Sequence, residues 1–212
     1  MIQGKMSALS ELYENIRCCE KCEIARSRIK SVPGEGAEDA EIMFIGEAPG
    51  FYEDRQGRPF VGSAGKFLDE LLASINLSRE QVYIANVIKC RPPANRDPLP
   101  QEILNCRPWL DKQIEIIRPK AIVTLGRYSM AMFFPQKTIG KIHGTAENRD
   151  GILYVAMYHP AAALHQGNLK EVIKADFLKL PGYISANSKS TPTKEEKKES
   201  DTIAKQLNMF EV

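Results

Sequence analysis

Long hydrophobic runs are missing from this sequence. No window approaches the roughly 18 apolar residues that a membrane-spanning helix requires, which excludes a helical membrane protein. Met1 to Glu14 lack the apolar core and small-residue cleavage site of a secretory leader, so the expected compartment is the cytoplasm. Charge of one sign is scarce as well. The formal net charge is only +2, and the tail from Ser185 onward balances its own lysines and acids, so global charge does not announce a nucleic-acid partner. Histidine is limited to His143, His159 and His165, and cysteine to Cys18, Cys19, Cys22, Cys90 and Cys106. In a reducing compartment such cysteines point to metal ligands or buried thiols rather than to a disulfide framework. What remains is 43 % apolar and 26 % charged, the composition of a soluble globular chain long enough for one catalytic domain with a disulfide-free core.

Four short apolar runs read as strands: Glu41 to Ile45, Val82 to Ile88, Ala121 to Leu125 and Ile152 to Tyr158. Helical periodicity lies between and after them. Ala64 to Ile75 places Phe67, Leu68, Leu71, Leu72 and Ile75 on one face, and Gln101 to Ile117 repeats apolar residues through Ile103, Leu104, Trp109, Leu110, Ile114 and Ile117. Gly126 to Phe134 and Glu171 to Leu178 are shorter helix candidates. Strands alternating with helices give an α/β fold with a mainly parallel sheet covered on both faces, because parallel strands need right-handed crossovers. Ligands then bind beyond the carboxyl ends of the strands, here at Gly46 to Gly50 and His159 to Leu164. From about Ser185 the composition becomes that of a disordered linker, and apolar residues return only near the end. The expected organisation is a catalytic domain over 1–184, a linker over 185–205 and a terminal peptide over 206–212.

Several residue groups could carry chemistry. Cys19-x-x-Cys22 with Cys90 and Cys106 supplies four thiolates, enough for a tetrahedral zinc or a 4Fe-4S cluster, and spacing alone does not choose. Cys18, adjacent to Cys19, is expected to point elsewhere. Gly57 to Gly62 is a glycine- and proline-rich loop presenting Phe60, whose ring could stack on a base. Asn86 brings an amide, with paired donor and acceptor, late in the second strand. His159 follows the fourth strand and should face the crevice. Two basic clusters, Arg26-Arg28-Lys30 and Lys89-Arg91-Arg96, say more about a nucleic-acid partner than the net charge does, the alternative for each being a solvated loop rich in arginine.

Taken together, the segments GEAPG, GRPFVG, NVIKCRPPANRDP and HPAAAL and the cysteine spacing closely resemble family 4 uracil-DNA glycosylases, over roughly Cys19 to Ile184. The resemblance implies a three-layer α/β/α fold around a four-stranded, mainly parallel sheet. It also implies a monomer that flips uracil out of DNA and hydrolyses its N-glycosidic bond. It selects iron over zinc, with a 4Fe-4S cluster on Cys19, Cys22, Cys90 and Cys106. By the same resemblance Glu47 and Ala48 line the pocket, Phe60 stacks on the flipped uracil, Asn86 reads its edge, His159 meets its O2, and Leu164 belongs to the loop that enters the minor groove. In the best-known enzymes of the superfamily an aspartate stands where this chain has Ala48 and a tyrosine where it has Gly50. Glu47 and Glu53 are therefore the candidate water-activating acids, with Glu47 taken as catalytic. His165 stands where many relatives have arginine.

Two other readings compete. A protein that binds uracil-DNA covalently would need a histidine in an inserted basic loop, and none of the three histidines lies between Phe60 and Cys106. A non-catalytic iron-sulfur DNA-binding module would keep the cysteines without needing Glu47, Phe60, Asn86 and His159 around one crevice. At the far end, Gln206-Leu207-Asn208-Met209-Phe210 resembles the pentapeptide by which bacterial repair proteins dock on the sliding clamp, with Gln206, Leu207, Met209 and Phe210 as its contact residues.

Overall fold

Residues 7–190 are described by the computed structural model, with side chains through Asn187; the candidate clamp peptide at 206–212 lies outside the described residues. The strands are β1 (Glu35–Gly36), β2 (Ile42–Gly46), β3 (Tyr83–Asn86), β4 (Ala121–Leu125), β5 (Thr145–Arg149) and β6 (Ile152–Met157). The helices are α1 (Ala8–Arg17), α2 (Phe51–Gln56), α3 (Ser63–Ser74), α4 (Pro100–Ile117), α5 (Arg127–Phe133), α6 (Ile139–Ile142), α7 (Pro160–His165) and α8 (Leu169–Ser190).

The strands form one sheet in the order β1-β3-β2-β4-β6-β5. Its four central members are mutually parallel, as the strand-helix alternation requires, and they are the four apolar runs read from the sequence. β2, β3 and β4 are buried at every residue because both faces of the sheet are covered. Alternate side chains feed two separate cores. Phe44 and Ile84 point to the side of α3 and α8, where they meet Leu68, Leu71, Leu72, Ile173 and Phe177. Met43, Ile45, Tyr83 and Ala85 point to the side of α1 and α4, against Leu9, Leu12, Ile16, Leu110 and Ile117.

Both antiparallel edge strands were absent from the sequence reading. β1 has only two residues and no hydrophobic pattern. β5 is mostly exposed, so it carries no core signal of its own. It was nevertheless announced by Asp150-Gly151, which joins β5 to β6 with φ of 53° and 82°, the positive pair that a tight hairpin turn needs.

α8 departs most from expectation, running to Ser190 rather than ending at Leu178, and passing the domain boundary placed at 184. Pro181-Gly182 reads as a stop locally, yet Phe177 and Leu180 are fully buried against the sheet and Tyr183 and Ile184 pack on the same core. Tyr183 also donates its hydroxyl to Gly144 O at 2.8 Å. In α4 the buried stripe is Cys106, Leu110, Gln113 and Ile117, and Leu104, expected on that face, is 62 % exposed. The polar Gln113 takes the core position because its amide is fully paired, as described below.

Candidate functional site

Parallel strands bring their carboxyl ends to one edge, and the chain leaves each of them into a cavity of about 660 Å³ lined by Glu47, Ala48, Phe60, Asn86, Gly126 and His159 among others. That size is within the about 300–1,000 Å³ of small-ligand sites. Gly46, the last residue of β2, is paired in register with Asn86, the last of β3. A side chain at Gly46 would sit 2.4 Å from Asn86 Oδ1 and 2.6 Å from the Phe60 ring, so glycine is what allows these two groups to converge. Asn86 is 2 % exposed, and among the described residues its Oδ1 has no hydrogen-bond partner. A buried acceptor left unpaired at the end of a strand is a group that a ligand's N–H can satisfy.

Phe60 is held in the left-handed region, φ 52°. Arg79 fixes it there, donating to Phe60 O at 2.9 Å and to Pro59 O at 2.5 Å while pairing with Asp69. From the other side Glu53 Oε1 accepts the amides of Val61 and Gly62, both at 2.9 Å. Its second oxygen lies beside Gly50, where a Cβ would approach it to 2.7 Å. The ring of Phe60 stacks on His159 with centroids 5.4 Å apart and planes 23° from parallel.

His159 is the N-cap of α7, and its Nδ1 accepts the Ala161 amide at 3.1 Å. An accepting Nδ1 carries no proton, so the neutral ring presents Nε2–H as a donor. The residue keeps some surface exposure, but protein encloses the imidazole, and that burial pushes its pKa down to about 4, against a smaller upward pull from Glu53. Glu47, just beyond β2, has its carboxyl pKa raised, first by burial and then by the Asp97 carboxylate, with Arg127 acting in the opposite direction. Leu164 is 53 % exposed on α7.

A second cavity lies on the α1 and α4 side, with Cys19, Cys22, Cys90 and Cys106 in its wall. Cys18 caps α1 and is exposed, outside that wall. Three donors reach the sulfurs: Arg28 to Cys90 and Trp109 Nε1 to Cys19, both at 3.3 Å, and the Lys89 amide to Cys106 at 3.2 Å. Burial pushes the Cys106 thiol up to about 12 and also raises Cys90. Such thiols are stable as thiolates only when metal replaces their protons. Among the described residues no three His, Cys, Asp or Glu side chains gather closely enough to hold one ion directly.

Lys89, read from sequence as part of a surface basic cluster, is instead 1 % exposed. Its ammonium donates to Asn86 O at 2.8 Å and to Gln113 Oε1 at 2.6 Å, and Gln113 in turn donates to Pro33 O and to the Tyr83 hydroxyl. Burial lowers its pKa to about 8, with the neighbouring Cys106 and Cys90 opposing that shift. Lys89 thus ties the strand end carrying Asn86 to the cysteine cavity. The rest of that cluster is engaged as well, Arg96 with Glu102 and Arg91 with Asn95.

Residues 33–180 match the family model described as the uracil DNA glycosylase superfamily. The chain is 47 % identical over 185 residues to the type-4 uracil-DNA glycosylase of Sulfurisphaera tokodaii, covering 82 % of this chain and 84 % of the relative. It is 45 % identical over 184 residues to the Archaeoglobus fulgidus protein of the same name, covering 82 % and 92 %. A Thermotoga maritima relative, again named type-4 uracil-DNA glycosylase, is 40 % identical over 176 residues, covering 81 % and 92 %. The chain belongs to the type-4 uracil-DNA glycosylases.

Two features of this type-4 site escaped the sequence reading. One is Gly126-Arg127, directly after β4, where Arg127 pairs with Asp97 across the cavity and Gly126, at φ 91°, lets His159 approach. The rule that sites follow strand ends applied to β4 as much as to β2 and β6, so the signal was present. The other is Arg79, whose partners Pro59, Phe60 and Asp69 are far from it in sequence; nothing local marks it. Among the described residues of this glycosylase no helix is long and apolar enough to cross a membrane.

Proposed function

We infer that this chain hydrolyses the N-glycosidic bond of uracil in DNA, releasing the base and leaving an abasic site. The observation that carries the reading is the unpaired, buried Oδ1 of Asn86 in a cavity shared with Phe60 and His159. An unsatisfied acceptor of this kind costs about 1–3 kcal/mol, which a flipped uracil relieves by donating its N3–H while Asn86 Nδ2 donates to O4. Cytosine presents the opposite pattern at both positions, and a site built around paired polar groups rejects such a base strongly.

Flipping costs about a few kcal/mol, offset by stacking on Phe60 and by the Asn86 hydrogen bonds. Cleavage leaves positive charge on the sugar and negative charge on uracil. His159 Nε2–H donates to O2, a hydrogen bond that strengthens as the charge develops and so lowers the barrier. Glu47 orients the attacking water: its carboxylate has no hydrogen-bond partner among the described residues, whereas Glu53 commits an oxygen to holding the Phe60 loop. Ala48 leaves room beside it. Leu164, exposed at the end of α7, serves as the wedge on the minor-groove side.

Four converging thiols of which two are deeply buried, together with three N–H donors to sulfur, fit a 4Fe-4S cluster on Cys19, Cys22, Cys90 and Cys106. A bound cluster supplies a covalent link joining the segment after α1, the loop after β3 and α4. The test of the activity is release of free uracil from a single-uracil oligonucleotide, with an alkali-labile abasic site left behind. An alkali-stable, uncut product would refute it.

The terminal peptide carries a separate interaction, docking on a bacterial sliding clamp through Gln206, Leu207, Met209 and Phe210. It is supported by their order at the end of a polar segment, which would raise the local enzyme concentration on DNA. Deleting the last seven residues is expected to abolish clamp binding by calorimetry and leave excision on free oligonucleotide unchanged. Impaired excision by the truncated protein would count against docking.

A further inference from the structure

α2 has the uracil cavity at one end, through Gly50 and Glu53, and a second polar pocket at the other. That pocket is lined by Arg17, Arg28, Lys30, Ser31, Gln56 and Gly57. Its charge is largely uncompensated. Arg17 is paired with Glu14, but among the described residues the Arg28 guanidinium meets only the carbonyls of Cys19 and Arg17 and the Cys90 sulfur, and Lys30 has no ion-pair partner. The nearby Asp54 is 2 % exposed and commits Oδ1 to the amides of Ile29 and Lys30, which fixes the backbone that carries these side chains. Ser31 is 6 % exposed, and among the described residues its buried hydroxyl oxygen has no hydrogen-bond partner. Arg28 and Lys30, with the unused hydroxyl and the Gln56 amide, form a donor set suited to an anionic oxygen such as that of a phosphodiester.

We propose that this pocket binds one phosphodiester of the DNA strand that carries the flipped uracil. The proposal rests on the uracil-excision reading for the identity of the strand. α2 separates the two pockets by six helical residues, about 9 Å, so the contact falls within a few nucleotides of the flipped one. It accounts for part of the Arg26-Arg28-Lys30 cluster that the uracil cavity leaves unused, since Arg26 is paired with Glu23 at the surface. The phosphate anchors the strand at a fixed distance from Asn86, so this residue set contributes register and affinity without touching the reacting atoms.

The test uses fluorescence anisotropy on a duplex bearing a tetrahydrofuran abasic site, so that binding is read without excision. Lys30→Gln is expected to weaken binding about tenfold, the scale of one charge-assisted hydrogen bond, and to lower the slope of log affinity against log salt by about 0.9. Ser31→Ala is expected to weaken binding with the slope unchanged. Methylphosphonates placed singly along the strand should reveal one position where the neutral linkage weakens the unsubstituted protein but costs Lys30→Gln nothing further. A scan with no such position overturns the proposal. A flat scan together with inorganic phosphate shifting the Lys30 and Ser31 amide resonances would assign the pocket to free phosphate instead, and would overturn it equally. Absence of uracil release would sink the enzymatic reading alone, because the binding scan does not depend on it.

Discussion

Replacing His159 with alanine is expected to slow single-turnover uracil excision at saturating enzyme by about a hundredfold or more, the scale of a lost donor to a developing oxyanion. The histidine also caps α7 through Nδ1, so alanine should cost about 1 kcal/mol of stability as well. His159→Asn separates the two roles. Asparagine is a good helix cap, so thermal stability should return while the rate stays low. An excision rate near that of the unsubstituted protein in either variant would return His159 to a capping role only. The pH dependence follows from the ring's burial. With a folded pKa of about 4 the imidazole stays neutral through the range in which an ordinary histidine gains a proton, so its donor function should be flat from about pH 5 upward. Its stability linkage runs the other way from a salt-bridged histidine. Between the unfolded value of about 6.5 and the folded value of about 4 the unfolded chain holds the extra proton, so stability falls as pH drops through that window. A nitrogen-15 titration of the His159 ring measures both the tautomer and the pKa.

On the cluster reading, Cys19→Ser is expected to remove the visible absorbance and about four irons per chain, and Cys18→Ser to leave both intact. The contrast rests on position. Cys19 lines the cavity and receives the Trp109 N–H, whereas Cys18 is exposed at the end of α1. Cys106→Ser should be the more damaging to folding, because Cys106 sits in the buried stripe of α4 and accepts the Lys89 amide. With Cys106 and Cys90 as neutral thiols the Lys89 ammonium would be buried without a nearby anion, a costly arrangement. A colourless protein with stoichiometric zinc, prepared anaerobically with iron supplied, would overturn the cluster assignment. Iron retained in Cys19→Ser and lost in Cys18→Ser would exchange the two roles.

The candidate site was legible in the sequence to the extent that its residues follow strands. Asn86 and His159 could be found because parallel strands deliver their carboxyl ends to one crevice, and Phe60 because glycine and proline around an aromatic mark a presented ring. Lys89 was misread, since a lysine beside arginines looks like surface charge, and only the packing of α4 over β3 reveals that Gln113 receives its ammonium. Arg79 was invisible because its partners are brought to it by the fold. Arg127, directly after β4, obeys the same strand-end rule.

By itself the sequence determined the α/β class, the four central strands and which residues line the crevice and the cysteine cavity, because hydrophobic period and motif order are local properties of the chain. Tertiary structure alone decided how far α8 continues, which lysine is buried, which cations are left unpaired beside Ser31, and that Asn86 Oδ1 is left without a partner. Those outcomes depend on contacts between segments distant in sequence. Their energies, burial against desolvation and pairing against exposure, exist only once the sheet and its covering helices enclose them.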